Sequence, residues 1–120
     1  MIRILLVEDQ AIYRNVLALL LGYEPDMEVV AQAGSLAEAK EVLEGRFDVA
    51  VVDLGLPDGD GRELIDELRR TNPGVSVLVL SAIIMAEDFE EVRRSGADAV
   101  LTKVEGPLTI IEEIRHLAGR

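Results

Sequence analysis

The chain contains no cysteine, no tryptophan and a single histidine, and only 3% of it is aromatic. Without cysteine there is no disulfide framework, no thiolate chemistry and no sulfur-ligated zinc. His116, standing alone, excludes histidine-built metal sites and effectively excludes serine or cysteine triads. Basic residues are scarce as well: 12 Lys and Arg face 23 Asp and Glu, a formal charge of −11. That balance argues against nucleic-acid binding by this stretch itself, and most of the acidic residues read as solvated surface. No apolar run approaches a membrane span, and the N-terminus lacks a signal-peptide pattern. The expected location is the cytoplasm, with no membrane partner.

What remains is an apolar chain, 49% hydrophobic over 120 residues. That is long enough for one domain with a sizeable core, expected to span residues 1–120, and too short for two. Its organising stretch is Phe47 to Gly61, FDVAVVDLGLPDGDG. Val49, Ala50, Val51 and Val52 form a short, mostly β-branched run that suits a strand buried on both faces of a parallel sheet. The run ends on Asp53, after which Gly55, Pro57, Gly59 and Gly61 should break regular structure. A carboxylate at the end of a buried strand is costly unless it is paired, hydrogen-bonded or bound to a cation.

Along the chain, two periodicities alternate. Ile2 to Val7 reads as a strand that stops on the acidic pair Glu8-Asp9. Ile12, Val16, Leu19, Leu20 and Tyr23 recur at helical spacing, with Arg14 and Asn15 off that face. Glu28 to Ala33 supplies a second strand. Ser35 with Glu38 forms a capping box ahead of Leu36, Ala39, Val42 and Leu43. Leu64, Ile65 and Leu68 define a third helix, closed by Thr71-Asn72-Pro73-Gly74. A strand from Val75 to Ser81, a helix including Phe89 to Arg94 and a short strand from Ala99 to Thr102 follow. Pro107 opens a fifth helix carrying Leu108, Ile111, Ile114 and Leu117.

Five strands alternating with five helices predict a doubly wound α/β domain, a parallel sheet of order 2-1-3-4-5 with helices on both faces. All strand C-termini then share one edge, and ligands bind where the strand order reverses. The residues at those ends are Glu8 and Asp9, Asp53, Ser81 and Lys103. Three carboxylates together cannot all stay ionised without a cation, and oxygen-only ligands select a hard divalent ion, best Mg²⁺. Magnesium beside a strand-end carboxylate suggests phosphoryl chemistry, with Lys103 and the Ser81 hydroxyl on phosphoryl oxygens. Plainer roles exist for each: Glu8-Asp9 as a helix cap, Ser81 as an ordinary strand end, Lys103 as a surface lysine.

The stretches LLVEDQ, VVDLGLPDGDG, VLVLSA and SGADAVLTK, in this order and spacing, resemble the receiver domain of bacterial two-component response regulators over essentially the whole chain. Similarity is strongest to receivers that precede a helix-turn-helix DNA-binding domain. The resemblance implies a flavodoxin-like fold and Asp53 as phosphoacceptor, taking phosphate from a sensor histidine kinase. It implies Asp9, Asp53 and the backbone carbonyl of Gly55 as metal ligands, with Glu8 acting through metal-bound water. Ser81 and Lys103 match the hydroxyl and lysine that sense the phosphoryl group. A homodimer on phosphorylation and a C-terminal DNA-binding output domain in a longer chain are further implications.

Three positions depart from the family pattern. Val100 stands where an aromatic usually changes rotamer on activation, so the usual switch should be muted. Val104 follows Lys103 where many relatives carry proline. Ile83, Ile84 and Met85 make the loop after Ser81 apolar, which marks that loop as an alternative switch or output surface. Gly55 and Ile83, neither able to orient a water, should give a slowly hydrolysed phosphoprotein.

Two rival functions use similar parts. A haloacid-dehalogenase-like, Mg-dependent phosphatase would want a second acid two residues after Asp53, where Gly55 stands. A receiver-like interaction module that works without phosphorylation would ordinarily have lost one of the five site residues, and all five are present. The expected activity is therefore phosphoacceptance with self-phosphorylation and slow autodephosphorylation, not turnover of a substrate.

Overall fold

The computed structural model describes residues 1–82, 90, 92–94 and 96–119. The expectations for Ile83, Ile84, Met85 and Phe89 fall outside these residues. Among the described residues seven strands occur in chain order: β1 (Ile2–Val7), β2 (Met27–Ala33), β3 (Val49–Asp53), β4 (Gly55–Leu56), β5 (Gly59–Asp60), β6 (Ser76–Ser81) and β7 (Ala99–Thr102). Five of them build one sheet of order β2-β1-β3-β6-β7, with every neighbouring pair parallel. This is the expected 2-1-3-4-5 order once β4 and β5 are set aside. Those two form an antiparallel ladder of their own, pairing Gly55 with Asp60 and Leu56 with Gly59. The glycines here were expected to break regular structure; instead they let the chain fold back at once.

The helices are α1 (Ala11–Gly22), α2 (Leu36–Glu41), α3 (Gly61–Thr71) and α4 (Pro107–Ala118). Residues 92–94 are helical as well, which completes the expected five. Strand alternation divides the core into two layers. Leu5, Val7, Ala50, Val52, Val77 and Val79 meet α2 and α3 through Leu36, Ala39, Leu64, Ile65 and Leu68. Ile4, Leu6, Val49, Val51, Leu78 and Leu80 point the other way, onto Leu17 and Leu21 of α1 and Ile110, Ile114 and Leu117 of α4. The side-chain period of two along each strand produces this split, and both faces are covered as a parallel sheet requires.

The helix faces need two corrections. In α1 the buried residues are Leu17 and Leu21, whereas Ile12, Val16, Leu19 and Tyr23 are exposed. The helix carries apolar residues around most of its circumference, so spacing alone does not say which stripe meets the sheet. Arg14, held by its Nη1 to the Glu8 carbonyl at 2.6 Å, fixes the rotation at its start. In α4, Ile110, Ile111, Ile114 and Leu117 are buried and Leu108 is exposed. At 3.6 residues per turn Leu108 lies roughly 120° from the centre of that buried stripe. Strand starts also shift by one residue, to Met27 and Ser76.

Turns are fixed by side-chain carboxylates and amides. Ser35 Oγ accepts from the Glu38 amide at 3.1 Å, while Glu38 Oε1 accepts from the Gly34 amide at 2.7 Å, one residue before the expected return bond. Asp58, from the turn between β4 and β5, caps α2 a second time by accepting from the amides of Leu36 and Ala37 at 2.7 and 3.0 Å. Arg69 of α3 bonds the Val75 carbonyl at 2.7 Å and Asp98 at 2.7 Å, and Asp98 accepts from the Val77 amide at 2.7 Å. Gly61 is required by proximity: a Cβ there would sit 2.7 Å from the Asp53 carbonyl oxygen and 3.1 Å from Leu54 Cα. Backbone cannot yield as a side chain can. Gly61→Ala should therefore cost on the order of 1–3 kcal/mol in urea unfolding. Gly74→Ala, where a Cβ meets nothing within 4 Å, should stay within about 0.5 kcal/mol of the parent.

Candidate functional site

The C-terminal edge of the sheet brings the strand-end residues together. Val7 pairs with Val52, Asp53 with Leu80, and Ser81 with Thr102, so the strands finish within a residue of one another. Glu8 and Asp9 follow β1, Asp53 ends β3, Ser81 ends β6, and Lys103 follows β7. Carboxylate oxygens of Glu8, Asp9 and Asp53 all lie within 4.8 Å of one another. Glu8 is 2% exposed and Asp53 7%, the two buried charged residues among those described, while Asp9 faces solvent.

Lys103 reaches into this cluster. Its Nζ forms an ion pair with Glu8 Oε1 and lies 3.5 Å from Asp53 Oδ2. Asp53 Oδ1 accepts from the Gly55 amide at 3.0 Å, so the Asp53 carboxylate is held from both sides. Two neighbours of Lys103 lay outside the residues singled out from sequence. Gln10 Oε1 accepts from its Nζ at 3.3 Å, and the Tyr13 ring centroid lies 4.9 Å from Nζ, within cation–π range. Tyr13 lies in the first turn of α1, which starts just after the acidic pair.

Ser81 is half-buried, and its carbonyl accepts from the Lys103 amide at 2.7 Å. The two residues are thus joined through backbone. The acidic pair does not cap α1 in the expected way: the N-cap is Gln10, and its amide donates to Glu8 Oε2 at 3.2 Å. Val100 is buried in the layer facing α2 and α3, packed among aliphatic neighbours. Lys103 is followed by a trans bond to Val104, and no peptide bond among the described residues is cis.

The electrostatics sort the carboxylates. Burial, reinforced by hydrogen bonding to Asp53, pushes Glu8 up to about 7 despite Lys103. For Asp9 burial is the largest single influence and acts upward, but hydrogen bonding with Glu8 and Asp53 together with the nearby Lys103 charge outweighs it and holds the carboxyl below its ordinary value. Burial of Lys103 favours the neutral amine, but the carboxylates of Glu8 and Asp53 override it and hold the ammonium. Three clustered carboxylates face one ammonium, which leaves excess negative charge even with Glu8 partly protonated. Glu8 Oε1 is fully out of solvent and, among the described residues, is met there by the Lys103 ammonium alone. An all-oxygen donor set with such an atom turned inward fits a hard divalent cation.

Comparison with known proteins agrees with this geometry. A family model described as response regulator receiver domain matches residues 4–115. The DNA-binding transcriptional activator DevR/DosR of Mycobacterium tuberculosis is 38% identical over 104 residues, covering 86% of this chain and 48% of that protein. The transcriptional regulatory protein UhpA of Escherichia coli is 35% identical over 119 residues, covering 98% of this chain and 59% of that protein. The chain thus spans about half the length of these relatives. The response regulator domain of Thermotoga maritima CheB superposes with a TM-score of 0.88 at 27% identity, covering 100% of this chain and 98% of that one. With that family model matching residues 4–115 and the same fold in solved receiver domains, the chain belongs to the response regulator receiver domain family.

Proposed function

We propose that this receiver accepts a phosphoryl group on Asp53 and acts as the phosphorylated input of a two-component system. The observation that supports this reading is the convergence of Asp53 with Glu8, Asp9 and Lys103 at one sheet edge. An Asp53 Oδ attacks phosphorus as the P–N bond to the donor histidine breaks, and the imidazole leaves with the electron pair and takes a proton. Asp9, Asp53 and the Gly55 carbonyl would hold Mg²⁺, with Glu8 acting through bound water; the ion, when bound, neutralises charge on the phosphoryl oxygens. Lys103, already an ammonium between Glu8 and Asp53, is placed to move onto a phosphoryl oxygen. The Ser81 hydroxyl is the other donor.

The partners follow from this reading. The phosphate source is a sensor histidine kinase, and a longer chain would carry a DNA-binding output, in line with DevR/DosR being a DNA-binding transcriptional activator. The domain is proposed to span residues 1–120. Among the described residues no helix is long and apolar enough to cross a membrane.

Incubation with acetyl phosphate and Mg²⁺ should add one base-labile phosphoryl group by intact mass. Asp53→Asn should abolish it, because the amide is a very poor nucleophile and no longer a charged ligand. Undiminished labelling of that variant at its native site would refute the assignment. Asp9→Ala should weaken Mg²⁺ binding, followed by calorimetry, by more than the roughly 10-fold typical of outer-shell changes.

Protonation of Glu8 supplies a pH test. Its native pKa of about 7 lies above the ordinary 4.5, so the native state holds a proton the unfolded chain has lost between those values. Metal-free stability should then fall as pH rises from about 4.5 through 7, and Glu8→Gln should flatten that slope. Mg²⁺ affinity should rise over pH 6 to 8, since binding displaces the same proton. Urea midpoints in chelator at pH 5 and 8, with and without Glu8→Gln, measure the first effect.

A further inference from the structure

Lys103 is held by more than the carboxylates beside it. Its side chain is 12% exposed, and its ammonium meets Glu8 Oε1, Asp53 Oδ2 at 3.5 Å, Gln10 Oε1 at 3.3 Å and the face of Tyr13, whose ring centroid lies 4.9 Å from Nζ. The first two groups belong to the reacting cluster. The other two carry no net charge and come from the start of α1, Gln10 as its N-cap and Tyr13 in its first turn. That turn is fixed independently of Lys103: Arg14 Nη1 donates to the Glu8 carbonyl at 2.6 Å and the Gln10 amide to Glu8 Oε2 at 3.2 Å. The chain has only two Tyr, two Phe and no Trp, so a ring over the one lysine of the site is not a matter of abundance. Nor does close packing dictate it. Tyr13 is half-buried and, together with Lys103, borders a cavity of about 150 Å³ that also meets Val16, Leu20, Val104 and Pro107. The ring has room to turn aside, and it covers the ammonium instead.

We propose that Tyr13 is a positioning residue for phosphoryl transfer, its ring holding the Lys103 ammonium beside Asp53 through a cation–π contact. This role rests on the phosphoacceptor reading of Asp53 and adds a residue to it. A lysine side chain turns about several bonds, and its charge helps a reaction most when it is already in place as phosphorus arrives. The carboxylates cannot ensure that alone. A divalent cation drawn to Glu8, Asp9 and Asp53 takes up their negative charge and repels the ammonium, so their grip on Lys103 weakens as the site fills. The aromatic face has no net charge to be neutralised, and its attraction for an ammonium comes from the ring quadrupole. That hold persists with cation and phosphoryl group present. Gln10 Oε1 adds an uncharged acceptor from the same turn.

The rate of phosphorylation by acetyl phosphate, followed by intact mass against time, tests this with a donor too small to depend on docking. Tyr13→Phe keeps the ring face and should stay within about twofold of the parent rate. Tyr13→Leu, apolar but without that face, should slow the reaction roughly three- to tenfold. Mg²⁺ affinity by calorimetry should match the parent in both variants, since neither alters a ligand. In a Lys103→Gln background, Tyr13→Leu should have no further effect, because the contact it removes is already gone. A metal-free signature accompanies the rate. In chelator, the ring current should shift the Lys103 ε-methylene protons upfield, a shift kept in Tyr13→Phe and lost in Tyr13→Leu. The parent spectrum tests the contact whatever the stability of the Leu variant. Equal rates for the Phe and Leu variants, a Leu penalty that persists without Lys103, or parent ε-protons at the ordinary lysine position would overturn the proposal. Those outcomes leave the phosphoacceptor reading standing wherever the parent is labelled on Asp53. A parent that takes up no phosphoryl group would overturn both.

Discussion

Two carboxylates withdrawn from water within a few ångström of each other, at the end of a sheet, constitute the constraint the rest of this structure answers to. Glu8 and Asp53 cannot both carry charge there unaided. Lys103 answers part of that, entering from the far side of the strand-order reversal to lie against both. For its ammonium to arrive, β7 must end level with β3 although β6 lies between them, and the parallel registers deliver this. The surplus negative charge is what makes the site receptive to a hard cation. The fold is therefore arranged around an electrostatic deficit left only partly filled.

Support for that arrangement comes from residues outside the carboxylate cluster. Gly61 lets α3 begin against the Asp53 carbonyl, which fixes the strand end from below. Asp58 ties the β4–β5 turn to the start of α2, and Arg69 gathers the approaches to β6 and β7 by bonding both Val75 and Asp98. Each is a short polar contact that positions a backbone segment. The apolar layers supply the bulk of the cohesion; these contacts decide where the strands stop.

Much of this was legible in the sequence, and for identifiable reasons. β1 after Arg3, β3 and β6 are buried on both faces, so they appear as aliphatic runs, and the polar residue that ends each run marks the site. α3 was equally plain, since its apolar stripe of Leu64, Ile65 and Leu68 is flanked by charge on every side. α1 misled because its apolar residues form two stripes and only contact with the sheet chooses between them. Leu108 misled for a related reason: apolar residues in a first turn fit a helical period without facing the core. Gln10 and Tyr13 carried no signal of their own, because their place in the site depends on how Lys103 folds back across the sheet edge. The β4–β5 ladder was hidden by its glycines, which read as breakers but also allow the tightest reversals.

The hydrogen bond from the Lys103 amide to the Ser81 carbonyl has a consequence for how the edge can move. The two side chains emerge from peptides bonded directly to one another, so their backbone positions are tied while each keeps its own rotamers. A shift of the backbone at either strand end is therefore felt at the other, and the edge keeps its spacing as the side chains turn.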